Sequence, residues 1–161
     1  MKLYIKQKVF SWRDRFAVKD EFGNDVYFIE GELFSWGKKL YVTDVNGNEV
    51  LYIQQNLWNW MPNYSLFIYE KEVAVVKKEF TFFRPQYSII GPNWEVEGNF
   101  WGHDYDIWEF ENHIASINKE WFTWGDSYEL NILDESQSLL ALGVIIVIDC
   151  VIAEQQNNSA N

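Results

Sequence analysis

The chain has 161 residues, enough for one domain with a sizeable core and a tight fit for two. Aromatic residues make up 19% of it, which excludes a disordered chain and favours pleated, half-buried surfaces. The net charge of −11 opposes general affinity for nucleic acid or anionic lipid, and no basic stripe or nucleic-acid motif appears, so no nucleic-acid partner is expected.

That charge is uneven. Residues 1–84 are nearly neutral at +1, whereas residues 85–161 carry −12 and contain one cation, Lys119. A local basic face in the first half is therefore compatible with the acidic total. The N-terminus, Met1 to Lys8, alternates charged and apolar residues and lacks the apolar core of a signal peptide, so export is not expected. Cys150 is the single cysteine, which excludes an internal disulfide or a Cys-based zinc site and fits a reducing compartment. The expected location is the cytoplasm, extending to the inner face of a membrane.

Two ungapped internal repeats follow. At a shift of 24 residues, Phe16, Val18, Asp20, Gly23, Asn24, Val26 and Ile29 correspond to Leu40, Val42, Asp44, Gly47, Asn48, Val50 and Ile53. Each copy reads as strand, turn, strand. Asp, Gly and Asn supply the turn, and apolar residues alternate at period two on either side.

At a shift of 41 residues, Tyr64, Leu66, Val73, Ala74, Val76, Lys78, Glu79, Phe80, Phe83, Tyr87 and Ile89 match Tyr105, Ile107, Ile114, Ala115, Ile117, Lys119, Glu120, Trp121, Trp124, Tyr128 and Leu130. Common strand patterning would copy the apolar positions. It would not so readily copy the Lys-Glu-aromatic triplet, so duplication is preferred.

The pattern predicts about twelve strands, near 3–9, 15–20, 25–30, 39–44, 49–54, 64–69, 73–79, 86–90, 94–98, 104–109, 113–119 and 127–132. Tight turns imply antiparallel neighbours. Pro62, Pro85 and Pro92 fall between strands, where a missing N–H does least harm. No linker or domain break interrupts the chain. A single domain is expected over 1–154, with a disordered tail over 155–161.

Several segments are candidates for function. Trp58 and Trp60, in Leu57 to Met61, are either an exposed aromatic patch or one strand face that closes the core; the core reading is favoured. Lys77, Lys78 and Arg84 are the best candidates to hold an anion or lipid headgroup. Lys77 and Lys78 point to opposite faces of a strand, so at most one faces a ligand together with Arg84. Arg13, Arg15, Lys38 and Lys39 extend the basic area if the duplicated hairpins lie alongside. A solvated face that resists edge pairing is the commoner explanation.

His103, Asp104 and Asp106 form the most enzyme-like cluster, but they read more simply as a polar turn entering a strand. His113 stands ten residues from His103, without ligand-like spacing for zinc. Asp126 and Ser127 have no histidine placed to orient the serine. Gly23-Asn24 and Gly47-Asn48 are turn residues, because no helix start follows them. No catalytic set, metal site or cofactor is expected.

From Asp134 the pattern changes. Asp134 can cap a helix, and Glu135 places negative charge where the helix dipole favours it. Leu139 to Ile148 is apolar at ten successive positions before Asp149. A membrane span needs roughly 18 to 20 apolar residues and basic flanks, so no transmembrane span is expected. A pair of buried strands is a second reading, since Val144 to Ile148 is β-branched throughout. The third is a helix over about 135–155, buried on all sides. About twelve strands closed into a barrel would surround such a helix, and a barrel that wide needs a filling.

In that case Gly143 is kept for a barrel Trp or Phe packed on its bare backbone, and Asp149 lies at the mouth or accepts hydrogen bonds. The fold class is therefore mainly β: a closed antiparallel barrel of about twelve strands around a central hydrophobic C-terminal helix.

Long stretches of the chain carry a family resemblance. Ser11 to Asp20, Gly37 to Leu40, Val76 to Pro85, Ile90 to Trp94, Phe100 to Tyr105 and Lys119 to Tyr128 resemble the LURP-one-related family, bacterial YxjI-type branch. The likeness runs from the N-terminus to about Ile152. It implies a fold similar to the Tubby C-terminal domain and to phospholipid scramblases, a twelve-stranded barrel around a hydrophobic helix.

Tubby domains bind membrane phosphoinositides through basic residues, but those positions are not matched residue by residue here. The implied role is a non-catalytic binding or scaffold module, with a membrane phospholipid or a protein as partner. The alternatives are a phospholipid-headgroup binder or scramblase-like protein at the inner membrane surface, and a small enzyme using the His103/Asp104 region.

Overall fold

The computed structural model describes residues 1–6, 15–32, 36–82, 85–120 and 127–159. Arg13, Arg84 and Asp126, singled out above, lie outside the described residues.

Twelve strands run in chain order: β1 (Lys2–Lys6), β2 (Phe16–Asp20), β3 (Asp25–Gly31), β4 (Lys39–Asp44), β5 (Glu49–Gln55), β6 (Asn63–Ile68), β7 (Lys71–Glu79), β8 (Gln86–Ile90), β9 (Trp94–Asn99), β10 (Asp104–Glu109), β11 (Asn112–Glu120) and β12 (Ser127–Ile132). Each pairs antiparallel with its sequence neighbours, and β1 pairs with β12, so the sheet closes into a barrel with no open edge. Helix α1 (Ser138–Ser159) follows a single 3-10 turn at Glu135–Gln137 and fills the barrel. It runs beyond the expected fraying point at Gln155.

The duplications appear as repeated local geometry. Asp20 accepts from the N–H groups of Phe22 and Asn24 and from the Asn24 side chain at 2.8–3.0 Å. Asp44 accepts from Asn46 and Asn48 in the same way at 2.8–2.9 Å. Gly23 and Gly47 take φ of 83° and 85°, which a side chain would oppose. In the longer repeat β6 and β7 begin at Asn63 and Lys71, and β10 and β11 begin at Asp104 and Asn112. Register shifts after Leu66 and after Ile107 fall at equivalent places too.

Inward-facing residues of every strand and all of α1 from Leu140 to Ile152 form one core. The helix is apolar all round because the wall surrounds it. Asp134 caps its entry turn, accepting from Ser136 N–H at 3.0 Å. A Cβ added at Gly143 would lie 2.7 Å from Leu66 Cδ2 and 3.1 Å from Leu51 Cδ2. The expected aromatic contact is therefore replaced by two leucines of β5 and β6. The apolar stretch of α1 is long enough to cross a membrane by length and composition, and 78% of that window is buried within the barrel.

An up-and-down barrel has two unlike ends. The tight hairpins β2–β3, β4–β5, β6–β7, β8–β9 and β10–β11 lie at the end where α1 enters. The longer connections β3–β4, β5–β6, β7–β8 and β9–β10 lie at the end where α1 emerges. The two are termed here the hairpin end and the loop end.

Candidate functional site

The second residue of each of β6, β8, β10 and β12 is a tyrosine facing inward: Tyr64, Tyr87, Tyr105 and Tyr128, all buried. Alternation places them in one layer near the loop end. This belt surrounds the only carboxylate inside the apolar stretch of α1, Asp149, which is 5% exposed. The Tyr128 hydroxyl donates to one Asp149 oxygen, and His103 Nε2 lies 3.1 Å from the other. The His103 ring also stacks on Tyr128, with centroids 4.8 Å apart.

His103 reaches inward because it ends a 3-10 turn, Phe100–Gly102, in a left-handed conformation at φ 50°. Asn99 starts that turn, its side-chain oxygen accepting from Gly102 N–H at 3.1 Å. The buried carboxylate thus gains the donors that its desolvation demands. With His103 Nε2 as donor, Nδ1 has no partner among the described residues, and neither has the Tyr105 hydroxyl.

Burial raises the hydroxyl pKa of Tyr87, Tyr105 and Tyr128, with Asp149 adding to it, and burial likewise raises that of Tyr64. Burial also pushes the Cys150 thiol up. The belt therefore holds neutral hydrogen-bond donors, and the thiol stays protonated and poorly nucleophilic. One turn further along α1, Glu154 pairs with Lys38 at 2.5 Å, and the Tyr64 hydroxyl donates to it at 3.4 Å. Lys38 also donates to the Cys150 carbonyl at 3.3 Å.

Above this floor the loop end is lined with exposed aromatic side chains. Trp36 is 87% exposed, Trp58 98%, Trp60 93% and Phe82 86%, with Phe80, Trp101 and Leu57 also exposed. The favoured core reading of Trp58 and Trp60 is therefore corrected. Residues 57–61 are a loop in which Trp58 takes φ 74°, so no strand carries the two rings into the core.

The basic candidates separate as strand alternation requires. Lys77 faces outward and lies 3.6 Å from Glu79. Lys78 shares the inward parity of Ala74 and Val76 and lies at the mouth. Burial lowers its pKa, and no carboxylate among the described residues pairs with it. Arg15 lies over the Phe28 ring and pairs with Glu30 at 3.2 Å, and Lys39 pairs with Glu32 at 3.3 Å.

His103 faces inward while Asp104 is exposed, so they do not form a pair. His113 binds Asp106 at 2.9 Å on the outer wall, beside Trp108. Among the described residues no group of three His, Cys, Asp or Glu side chains could hold a metal ion.

Sequence reasoning anticipated the donors to Asp149 but not their identity. The signal was present: a carboxylate inside an apolar helix demands a donor, and one of only two histidines immediately precedes a loop-end strand.

A closed antiparallel barrel of twelve strands filled by its own C-terminal helix is consistent with the Tubby-like fold. The LURP-one-related family model matches residues 1–149. The chain belongs to the LURP-one-related family. It is 36% identical over 159 residues to the uncharacterised protein YxjI of Bacillus subtilis strain 168, covering 99% of this chain and 98% of that one. The X-ray structure of an Arabidopsis thaliana protein is similar in fold, with a TM-score of 0.63 at 15% identity, covering 92% of this chain and 90% of the other.

Proposed function

We propose that the protein is a non-catalytic binding module whose working surface is the loop end of the barrel, and that this surface meets phospholipid at the inner face of a membrane. The observation that carries the reading is the rim of Trp36, Trp58, Trp60 and Phe82, all more than four-fifths exposed at one end. Exposing such rings to water has no folding benefit, whereas indole prefers a lipid–water interface.

Lys78 supplies the headgroup contact. It is half-buried at the mouth, and burial has already removed part of its hydration. A phosphate oxygen would therefore meet an ammonium with no competing carboxylate among the described residues. The one thiol is buried and held protonated, which withdraws it as a nucleophile.

Flotation with vesicles of zwitterionic phospholipid, with and without anionic lipid, tests the proposal. Binding at low salt is expected, and replacing Trp58 and Trp60 together by Ser should abolish it. Failure to float with either composition at low salt would refute the reading.

A further inference from the structure

The hairpin end carries its own exposed apolar residues, in turns rich in carboxylates. Each connection there, or the strand end leading into it, offers one exposed apolar side chain: Phe22, Val45, Tyr69, Ile90 (the last residue of β8), Phe110 and Leu133. Scattered apolar residues are ordinary, but two of these occupy costly backbone positions. The two-residue turn Tyr69-Glu70 takes φ of 47° and 66°. Positive φ at both central residues marks a turn that normally selects Asn-Gly, because bulky side chains clash there. Forty-one residues on, at the equivalent place, Phe110 precedes Glu111 and takes φ 54°. Tyr69 is 69% exposed and Phe110 82% exposed. Both rings therefore sit in strained turns with little burial in return. Folding would favour Asn at either position.

The intervening β8–β9 hairpin contributes Ile90, so Tyr69, Ile90 and Phe110 form one arc. Adjacent hairpins are two strand spacings apart, roughly 10 Å along the rim. The arc thus spans about 20 Å, the length of about 14 helical residues at 1.5 Å each. Glu70, Glu72, Glu95 and Glu111, all exposed, lie among the three tips, and Lys71 is the cation beside them.

We infer that this arc docks a basic amphipathic segment of a partner protein, its apolar face on the three tips and its cations on the glutamates. The charge selects that occupant. Nucleic acid and anionic lipid are repelled here, and a second copy would set carboxylate against carboxylate. The inference does not rest on the loop-end reading, since it concerns the opposite end of the barrel.

The test titrates the full chain with an amphipathic Leu/Lys peptide of about 14 residues, a length set by the arc, at low and at physiological salt. The variant Tyr69→Asn with Phe110→Asn keeps every charge and suits the left-handed turns. It should melt at the wild-type temperature or higher and bind the peptide at least tenfold more weakly, while wild type stays monomeric. Unchanged peptide affinity in the variant would reduce the surface to non-specific acidity and overturn the inference. A lower melting temperature would overturn it too, by giving the rings a folding role. Dimers of wild type that the variant loses would assign the arc to a second copy instead.

Discussion

Gly143→Ala tests the claim that the wall closes on the helix. The new methyl would lie 2.7 Å from Leu66 Cδ2 and 3.1 and 3.4 Å from the two ends of Leu51. Both leucines are 0% exposed, so any displacement must be absorbed within the core. Overpacking of this kind costs about 1–3 kcal/mol. Alanine returns about 1 kcal/mol of helix propensity. The expected net effect is therefore roughly 0–2 kcal/mol of destabilisation, whereas the same change in an exposed helix would stabilise by about 1 kcal/mol.

Leu66→Val supplies the control. Alone it removes buried volume and costs on the order of 1 kcal/mol. Combined with Gly143→Ala it relieves the closest contact, so the double variant should be more stable than the sum of the singles by about 1 kcal/mol. Urea unfolding of the four proteins measures all three quantities. Stabilisation by Gly143→Ala of the full propensity difference of about 1 kcal/mol, or strict additivity with Leu66→Val, would mean that α1 does not press on β5 and β6.

Three further outcomes are expected. Asp149→Ala strands the Tyr128 hydroxyl and the His103 ring, at about 1–3 kcal/mol each, and should destabilise more than Asp149→Asn, which keeps the shape; equal losses in urea unfolding would contradict the hydrogen bonding. Because burial lowers the pKa of Lys78 in the folded state, the unfolded chain binds more protons between that lowered value and 10.5. Wild-type stability relative to Lys78→Met should accordingly rise with pH across that window, with the variant ahead at neutral pH. The same variant should bind anionic vesicles about fivefold more weakly, the effect of one lysine at a lipid surface; no change in either would remove Lys78 from the site. Cys150, buried and with its thiol pKa raised, should resist alkylation in the native protein and react after unfolding; native labelling at the rate of a free thiol would refute its enclosure.

Strand positions were legible because each depends on neighbours within a few residues. The predicted segments 39–44, 86–90, 104–109 and 127–132 coincide with β4, β8, β10 and β12. Asp20 and Asp44 hold their turns through partners four residues away, which a repeat of 24 residues exposes directly. The loop at Leu57 to Met61 was misjudged for a related reason. Alternating tryptophans look the same whether a strand or an irregular segment carries them, and only the left-handed Trp58 separates the two.

By itself, then, the sequence determined the strands, their antiparallel order and the helix that had to be enclosed, because alternation, turn chemistry and an unbroken apolar run are local properties. Tertiary structure decided what meets across the barrel: His103 and Tyr128 on Asp149, Leu51 and Leu66 on Gly143, and Lys78 at the mouth with Lys77 outside. Such meetings depend on register and closure accumulated over twelve strands. A shift of one residue would turn each side chain to the opposite face.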